Sequence, residues 1–277
     1  MNELTFVVAL FTPFAEDGRV DRDALVAHVR YVLDQGADAV MPCGTTGEGA
    51  LLEEEEVAAV VAATVEAAGE HEVIAHVGRP GTEATIRLAR RAVDSGATAV
   101  SAVVPYYYPL TPEQTLRHYG SLLEAVPDVP VFAYTIPDRT GNQLEPETLE
   151  SLAEEGLAGV KDSTKSFERH LEYLAVAKAH DLRVLMGSDG MVLEALRAGA
   201  AGSVSALANV RPDLLVRLKR AFLDGNAEEA EATQAQIAEL RESLSRGPAL
   251  AALKRAVSER LAEHGVRYPA GLRAPLS

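Results

Sequence analysis

The sequence predicts a (β/α)₈ barrel, and three observations carry that prediction. Short apolar runs rich in valine alternate with longer amphipathic stretches from end to end, the pattern of repeated strand–helix units around a parallel sheet. Eight such runs can be counted, at residues 5–11, 37–42, 73–77, 99–104, 129–134, 156–161, 183–186 and 202–206. A chain of 277 residues with 47% hydrophobic content is long enough to bury one large core of this kind.

Between the runs lie helix-like segments, beginning with 21–35, 53–68 and 82–95. Several helix starts carry caps or first-turn acids, as in Thr111-Pro112-Glu113 and the acidic run 53–56, where negative charge meets the positive end of a helix. That acidic run needs no functional explanation. After the eighth run, segments 213–223, 227–244 and 249–264 read as three consecutive helices without a strand between them. We therefore expect a barrel domain over 1–223 and a helical extension over 224–277, with Ile237, Leu240, Leu244 and Leu253 giving an apolar face for the barrel or another subunit. The last stretch, Tyr268 to Pro275, is rich in turn formers and reads as an extended tail.

Composition narrows the function classes. A formal charge of −15 argues against nucleic acid or an anionic membrane as partner, although a small anion can still bind in a local positive pocket. Cys43 is the single cysteine, so no intramolecular disulfide and no cysteine-based zinc site is expected, and the natural compartment is a reducing cytoplasm. The N-terminal run Met1-Asn2-Glu3-Leu4-Thr5-Phe6 lacks the basic and apolar pattern of a leader, and nowhere do eighteen apolar residues follow one another. The seven histidines lack ligand spacing and mostly read as helix-surface residues, so no metal and no other cofactor is expected.

Lys161 ends the sixth run, Leu157-Ala158-Gly159-Val160-Lys161, where an ammonium group is normally expelled. The chain holds five lysines against twenty-one arginines, and the other four lie in polar or helix-like surroundings with solvent in reach. Desolvation disfavours the charged form of an amine, and a neutral amine is a nucleophile toward carbonyl carbon. Read alone, Lys161 fits a Schiff-base nucleophile and a solvated strand cap equally well. Its company separates the two. Barrel chemistry collects at the carboxyl ends of strands, and four segments end there together: Gly44-Thr45-Thr46-Gly47-Glu48, Pro105-Tyr106-Tyr107-Tyr108-Pro109, Tyr134 followed by Pro137-Asp138-Arg139-Thr140-Gly141, and Lys161 itself.

A lysine that condenses with a 2-keto acid needs the carboxylate held and protons moved. Backbone N–H groups of the glycine-rich turn at Gly44, with the hydroxyls of Thr45 and Thr46, suit the first task. Tyr134, one strand from Lys161, suits the second, with a hydroxyl chain through Thr45 leading outward. Arg139 is placed to bind a second carboxylate or a polar tail on the acceptor, or else forms a surface ion pair.

With these residues in hand the chain resembles the dihydrodipicolinate synthase and N-acetylneuraminate lyase family of pyruvate-dependent class I aldolases, over its whole length. Gly44 to Glu48 resembles the family's carboxylate loop, Tyr134 with Pro137 to Gly141 its tyrosine and arginine segment, and Gly159-Val160-Lys161-Asp162-Ser163 its imine segment. The resemblance implies that Lys161 forms the imine, that Tyr134 is the acid/base, that Thr45 and Tyr107 complete a hydroxyl relay, and that Val204 offers a carbonyl near pyruvate. It also implies that Tyr107 enters a neighbouring subunit's site, hence a homodimer or homotetramer.

Departures from the subgroups bear on the acceptor. Thr135 and Asp162-Ser163 stand where lysine-synthesis members usually carry asparagine and Glu-Ala, and the acidic run 53–56 lacks the histidine of lysine-inhibited members. Ile74-Ala75-His76-Val77-Gly78 resembles the neuraminate lyases, Pro105 to Pro109 resembles sugar-acid aldolases, and Arg139 resembles the synthases. The expectation is a lyase that makes or cleaves a 2-keto-3-deoxy acid from pyruvate and a small aldehyde or 2-keto acid. The alternative is dihydrodipicolinate synthase, condensing pyruvate with aspartate semialdehyde. Two rivals remain at this stage: a phosphosugar barrel using Gly187-Ser188-Asp189-Gly190, and a keto-acid sensor on a barrel without turnover.

Overall fold

Eight parallel strands close into a barrel in the order β1 to β8, each pairing with the next and β8 returning to β1. The computed structural model describes residues 4–244 and 249–277. Met1 to Glu3, where the leader pattern was sought, and residues 245–248 of the extension lie outside the described residues.

The strands are β1 (Thr5–Ala9), β2 (Ala39–Met41), β3 (Glu72–His76), β4 (Ala99–Val103), β5 (Val131–Thr135), β6 (Gly159–Asp162), β7 (Arg183–Met186) and β8 (Gly202–Ser205). Around them run α1 (Arg22–Asp34), α2 (Glu54–Ala68), α3 (Thr82–Asp94), α4 (Pro112–Ala125), α5 (Pro137–Thr140), α6 (Pro146–Glu154), α7 (Phe167–His180), α8 (Val192–Ala198) and α9 (Pro212–Leu223). The sequence pattern places every strand, but β6 starts three residues later than expected, at Gly159. Gly156 turns the chain at φ +100° and Leu157 N–H caps α6 on the carbonyl of Leu152 at 2.9 Å, so the first apolar residues belong to the turn.

Side-chain alternation builds two cores. On β5, Val131 and Ala133 face the helices, whereas Phe132 faces the barrel axis with Val7, Ala9, Ala39, Met41, Ile74, Ala99, Leu185 and Val204. Burying each large aliphatic side chain contributes about 1.5–3 kcal/mol. The amino-terminal end of the barrel is closed by charge: the Arg183 guanidinium donates to both carboxylate oxygens of Glu72 at 2.9 and 3.1 Å and to Thr5 Oγ1 at 3.1 Å.

After α9 come α10 (Ala227–Leu244) and α11 (Ala249–Glu263). Ile237 and Ala230 of α10 and Val257 and Leu261 of α11 are buried in the same core as the barrel helices, with Leu240, Leu244 and Leu253 partly buried against it. The extension thus packs on the barrel of its own chain. Segment 264–277 carries no helix or strand, but it is tied down: Arg273 bonds both oxygens of Glu56 and the Gly18 carbonyl. The acidic run opens α2 as expected, with the Glu56 carboxylate accepting from Glu53 N–H at 3.0 Å and Glu54 and Glu55 paired to Arg87 and Arg91.

Two readings of the sequence are corrected. Lys254 does not lie near solvent: it is fully buried on α11, paired with Glu48 at 2.7 Å. Nor are the histidines mostly at the surface, because His28, His76, His118 and His170 are all buried. For Lys254 the burying partner is remote in sequence, 206 positions away. Among the described residues no helix is long and apolar enough to cross a membrane, and none group as three or more metal-ligating side chains.

Candidate active site

Alternation along β6 sends Lys161 inward, because its register partner Leu185 lies in the axial cluster. The side chain is 5% exposed. Its amine lies 3.8 Å from Met41 Sδ and 4.1 Å from the centroid of the Tyr134 ring. Neither supplies a negative charge, and among the described residues no carboxylate pairs with it. The next residue anchors the strand end: Asp162 is 1% exposed, accepts from Thr164 N–H and Oγ1 at 2.8 and 2.7 Å, and pairs with His170 Nδ1 at 2.8 Å.

Tyr134 and Lys161 are register partners on adjacent strands. Tyr134 Oη meets Thr45 Oγ1 at 3.2 Å, a distance at which either hydroxyl can donate to the other. Thr45 belongs to the loop after β2, which is tightly wound. Gly49 N–H donates to Gly44 O at 3.0 Å, and a Cβ on Gly49 would fall 1.6 Å from the Cys43 carbonyl oxygen. Glu48, at φ +56°, is held there from outside the loop, since Oε1 takes Lys254 Nζ and Oε2 takes Arg273 N–H, both at 2.7 Å.

A cleft of about 500 Å³ opens above this centre, lined by Gly44, Thr45, His76, Tyr106 and Arg139 among others, with Leu272 and Pro275 of the C-terminal segment on one wall. Arg139 sits exposed on α5, while its neighbour Asp138 is engaged by Lys165 at 2.5 Å. Val204 is buried in the axial layer on β8. Thr46 is half-buried and is not part of the cleft wall. Of the three consecutive tyrosines, Tyr106 lines the cleft. Tyr107 is 83% exposed at φ +83° and stacks edge-on with Tyr108, with centroids 4.9 Å apart, so within one chain it does not join Thr45 and Tyr134. The loop that presents it is braced by Asn142, whose Nδ2 donates to the carbonyls of Pro105 and Tyr108, each at 2.8 Å.

His76 was legible in the sequence only as part of a resemblance. Here it faces the centre, 5% exposed, its ring edge-on to Tyr134 with centroids 5.8 Å apart. Burial, and then the positive charges of Lys161 and Arg79, lower its pKa to about 3. Burial pushes the Cys43 thiol up to about 12, which leaves it protonated and unreactive. The phosphate reading of Gly187 to Gly190 loses support. The Asp189 carboxyl points into buried space with its pKa raised by desolvation, and Gly187 is packed so close that a Cβ would lie 2.1 Å from Ser163 Oγ.

A parallel eight-stranded barrel with a buried amine at the end of its sixth strand and a phenol beside it has the architecture of the barrel enzymes, whose sites gather at the carboxyl ends of the strands. The chain belongs to the dihydrodipicolinate synthetase family, whose profile matches residues 3–277. It is 43% identical over 274 residues to an uncharacterized DapA-like lyase of Halobacterium salinarum, covering 98% of this chain and 87% of that one. To the 4-hydroxy-tetrahydrodipicolinate synthase of Methylococcus capsulatus it is 38% identical, over 95% of this chain and 91% of the relative. Among solved structures, the dihydrodipicolinate synthase of Acinetobacter baumannii, determined with pyruvate, superposes with a TM-score of 0.88 at 30% identity, covering 100% of this chain and 93% of that one. The protein is thus a lyase of a pyruvate-dependent class I aldolase family.

Proposed function

We propose that Lys161 forms a Schiff base with pyruvate and that the protein makes or cleaves a 2-keto-3-deoxy acid through it. The observation that carries this reading is the amine itself, sealed from water, without a carboxylate and 4.1 Å from the Tyr134 ring. The amine nitrogen attacks the C2 carbonyl through its lone pair, water leaves, and the iminium withdraws electrons so that loss of a C3 proton gives an enamine. The enamine carbon adds to the acceptor aldehyde, and the reverse sequence is retro-aldol cleavage. Tyr134 moves the protons, handing them to Thr45 across 3.2 Å. The loop at Gly44, Thr45 and Thr46 receives the pyruvate carboxylate, and Val204 contributes a carbonyl beside it.

Tyr107 completes the relay from a second copy of the chain. Its exposed ring and left-handed backbone, on a braced loop, suit a residue that reaches into a neighbour, and a homodimer or homotetramer follows from that role. Solved pyruvate-bound relatives support pyruvate as the first substrate. A reducing cytoplasm is the compartment we assign, on the single buried cysteine. The second reading is dihydrodipicolinate synthase, favoured by Arg139 on the cleft wall, which can hold the carboxylate of aspartate semialdehyde.

Borohydride reduction in the presence of pyruvate, followed by intact mass and peptide mapping, tests the shared half of the reaction. A pyruvate-dependent adduct on Lys161 is expected; no mass gain sinks the proposal. Tyr134→Phe should still form adduct while turnover falls about 10²-fold or more. Pyruvate release from a panel of 2-keto-3-deoxy acids, set against condensation with aspartate semialdehyde, decides the acceptor.

A further inference from the structure

The inward face of the barrel carries two polar side chains that the reaction above does not use. Ile74 and Ala99 are register partners in the axial cluster, so the residues two positions on, His76 and Ser101, also pair in register and also face inward. His76 is 5% exposed and Ser101 is fully buried. Neither His76 Nδ1 nor Ser101 Oγ has a hydrogen-bond partner in the protein, and the two do not bond each other. Leaving a buried polar atom unsatisfied costs about 1–3 kcal/mol, whereas the surrounding positions are filled by Met41, Ile74, Ala99 and Phe132. Two such groups side by side in an apolar layer mark a small polar site. One edge of it is open to chemistry, because His76 lines the cleft and touches the Tyr134 ring, and Tyr134 in turn lies against the Lys161 amine.

The polarity of the site selects its occupant. Ser101 is closed off from solvent, and two unpartnered hydrogen-bonding atoms on register partners call for a small group that can bond to both, as a single water does. A buried water typically makes about three hydrogen bonds to groups otherwise unsatisfied. His76 suits this task because it stays neutral at physiological pH, so it offers a hydrogen-bonding nitrogen and not a second positive charge beside Lys161.

We propose that His76 and Ser101 are positioning residues for the water that leaves when the Lys161 imine forms and returns when it is hydrolysed. This rests on the Schiff-base reading of Lys161. In the forward step the carbinolamine C–O bond breaks, the nitrogen lone pair forms the C=N bond, and the departing oxygen takes one proton through the Tyr134–Thr45 pair, giving iminium and water. In the reverse step the water oxygen adds to the iminium carbon, the C=N π pair returns to nitrogen, and the proton leaves by the same pair. His76 and Ser101 hold the water by hydrogen bonds throughout and exchange no net proton.

Oxygen exchange isolates this step without any acceptor. Pyruvate labelled with ¹⁸O at C2 loses its label to ordinary water each time the imine forms and is hydrolysed, and mass spectrometry reads the rate above the enzyme-free background. The end-point yield of borohydride-trapped adduct at saturating pyruvate is measured beside it. We expect His76→Phe and Ser101→Ala to slow exchange about tenfold, the scale of one lost hydrogen bond to the reacting water. Adduct yield should match that of the wild type, and His76→Gln should restore most of the rate. Exchange at the wild-type rate in His76→Phe overturns the inference. So does a parallel fall in exchange and adduct yield, which assigns the pair to structure. A wild-type protein that forms no adduct removes the Schiff-base reading and this one together, whereas normal adduct with unaltered exchange in the variants removes only this one.

Discussion

Two lysines are buried in this protein, and they are buried in opposite ways. Lys254 leaves α11 and meets the Glu48 carboxylate at 2.7 Å, with its amine 4.4 Å from the Phe14 ring centroid; both charged side chains are fully enclosed. Desolvation lowers its pKa, and the Glu48 carboxylate opposes that shift. Lys161 leaves β6 and meets a thioether and a phenol ring. One amine has its charge balanced and spent on holding Glu48, and through it the loop that carries Thr45. The other has no carboxylate in ion-pair contact among the described residues and lies against the residues proposed to carry the reaction. Burial alone therefore does not single out a lysine for chemistry; burial without a carboxylate in contact is what supports the role proposed for Lys161.

Substituting each lysine should separate these roles. Lys161→Ala is expected to abolish both adduct and turnover while stability to denaturant changes by no more than about 1 kcal/mol, since no ion pair is broken. Lys254→Met should do the reverse. It strands the Glu48 carboxylate in the interior, and we expect a loss of about 3–5 kcal/mol in urea unfolding. The double change Glu48→Gln with Lys254→Met should recover much of that loss, because both charges are then gone. If Lys254→Met unfolds like the wild type but fails to form adduct, the distinction drawn between the two lysines is wrong.

Acid unfolding sharpens the comparison, because buried bases without a carboxylate should stay neutral in the fold. His28 and His76 are lowered to about 3 and His118 to about 4, in each case by burial first, from an ordinary value of 6.5. The unfolded chain takes up these protons below about pH 6.5 while the native protein does not. Their stabilising contribution is thus complete above that pH and is lost as pH falls toward 4 to 3, at about 1.4 kcal/mol per histidine per pH unit. Stability measured from pH 7 to 5 should fall by roughly 2 kcal/mol for each of the three, and His118→Gln should flatten the slope by one third. A flat profile over that range would show that they titrate normally. The smallest effect is expected at the cleft rim: Arg139→Ala should raise KM for a carboxylated acceptor about tenfold, as for one lost charge-assisted contact, with pyruvate dependence unchanged. An unaltered acceptor KM would place Arg139 in structure only.

The features legible in the sequence are those written in short-range pattern. Short valine-rich apolar runs located the eight strands, and the rule that barrel chemistry gathers at strand ends put Lys161, Tyr134 and Thr45 on one face; in the structure Tyr134 and Thr45 lie 3.2 Å apart. What escaped was set by partners far along the chain. Lys254 looks like an ordinary helix lysine because Glu48 lies 206 positions away, and Arg273 looks like a tail residue until it is seen holding Glu56 across 217 positions. His28 and His118 sit on helices whose polar and apolar faces are told apart only by what packs on them. His76 and Ser101 were hidden for another reason. Each stands in a strand otherwise apolar enough to be assigned on its neighbours, so their inward direction became informative only with the register in hand.

The ion pair of Arg183 with Glu72 gives the barrel a floor, and a floor makes the well one-ended. The side left for substrate is the one where the strand carboxyl ends meet the cleft walled by Thr45, Tyr106 and Arg139. A keto acid joined to Lys161, as proposed, would be overlain by an acceptor entering from the same side, so ordered addition with the keto acid leading is the kinetic pattern to expect.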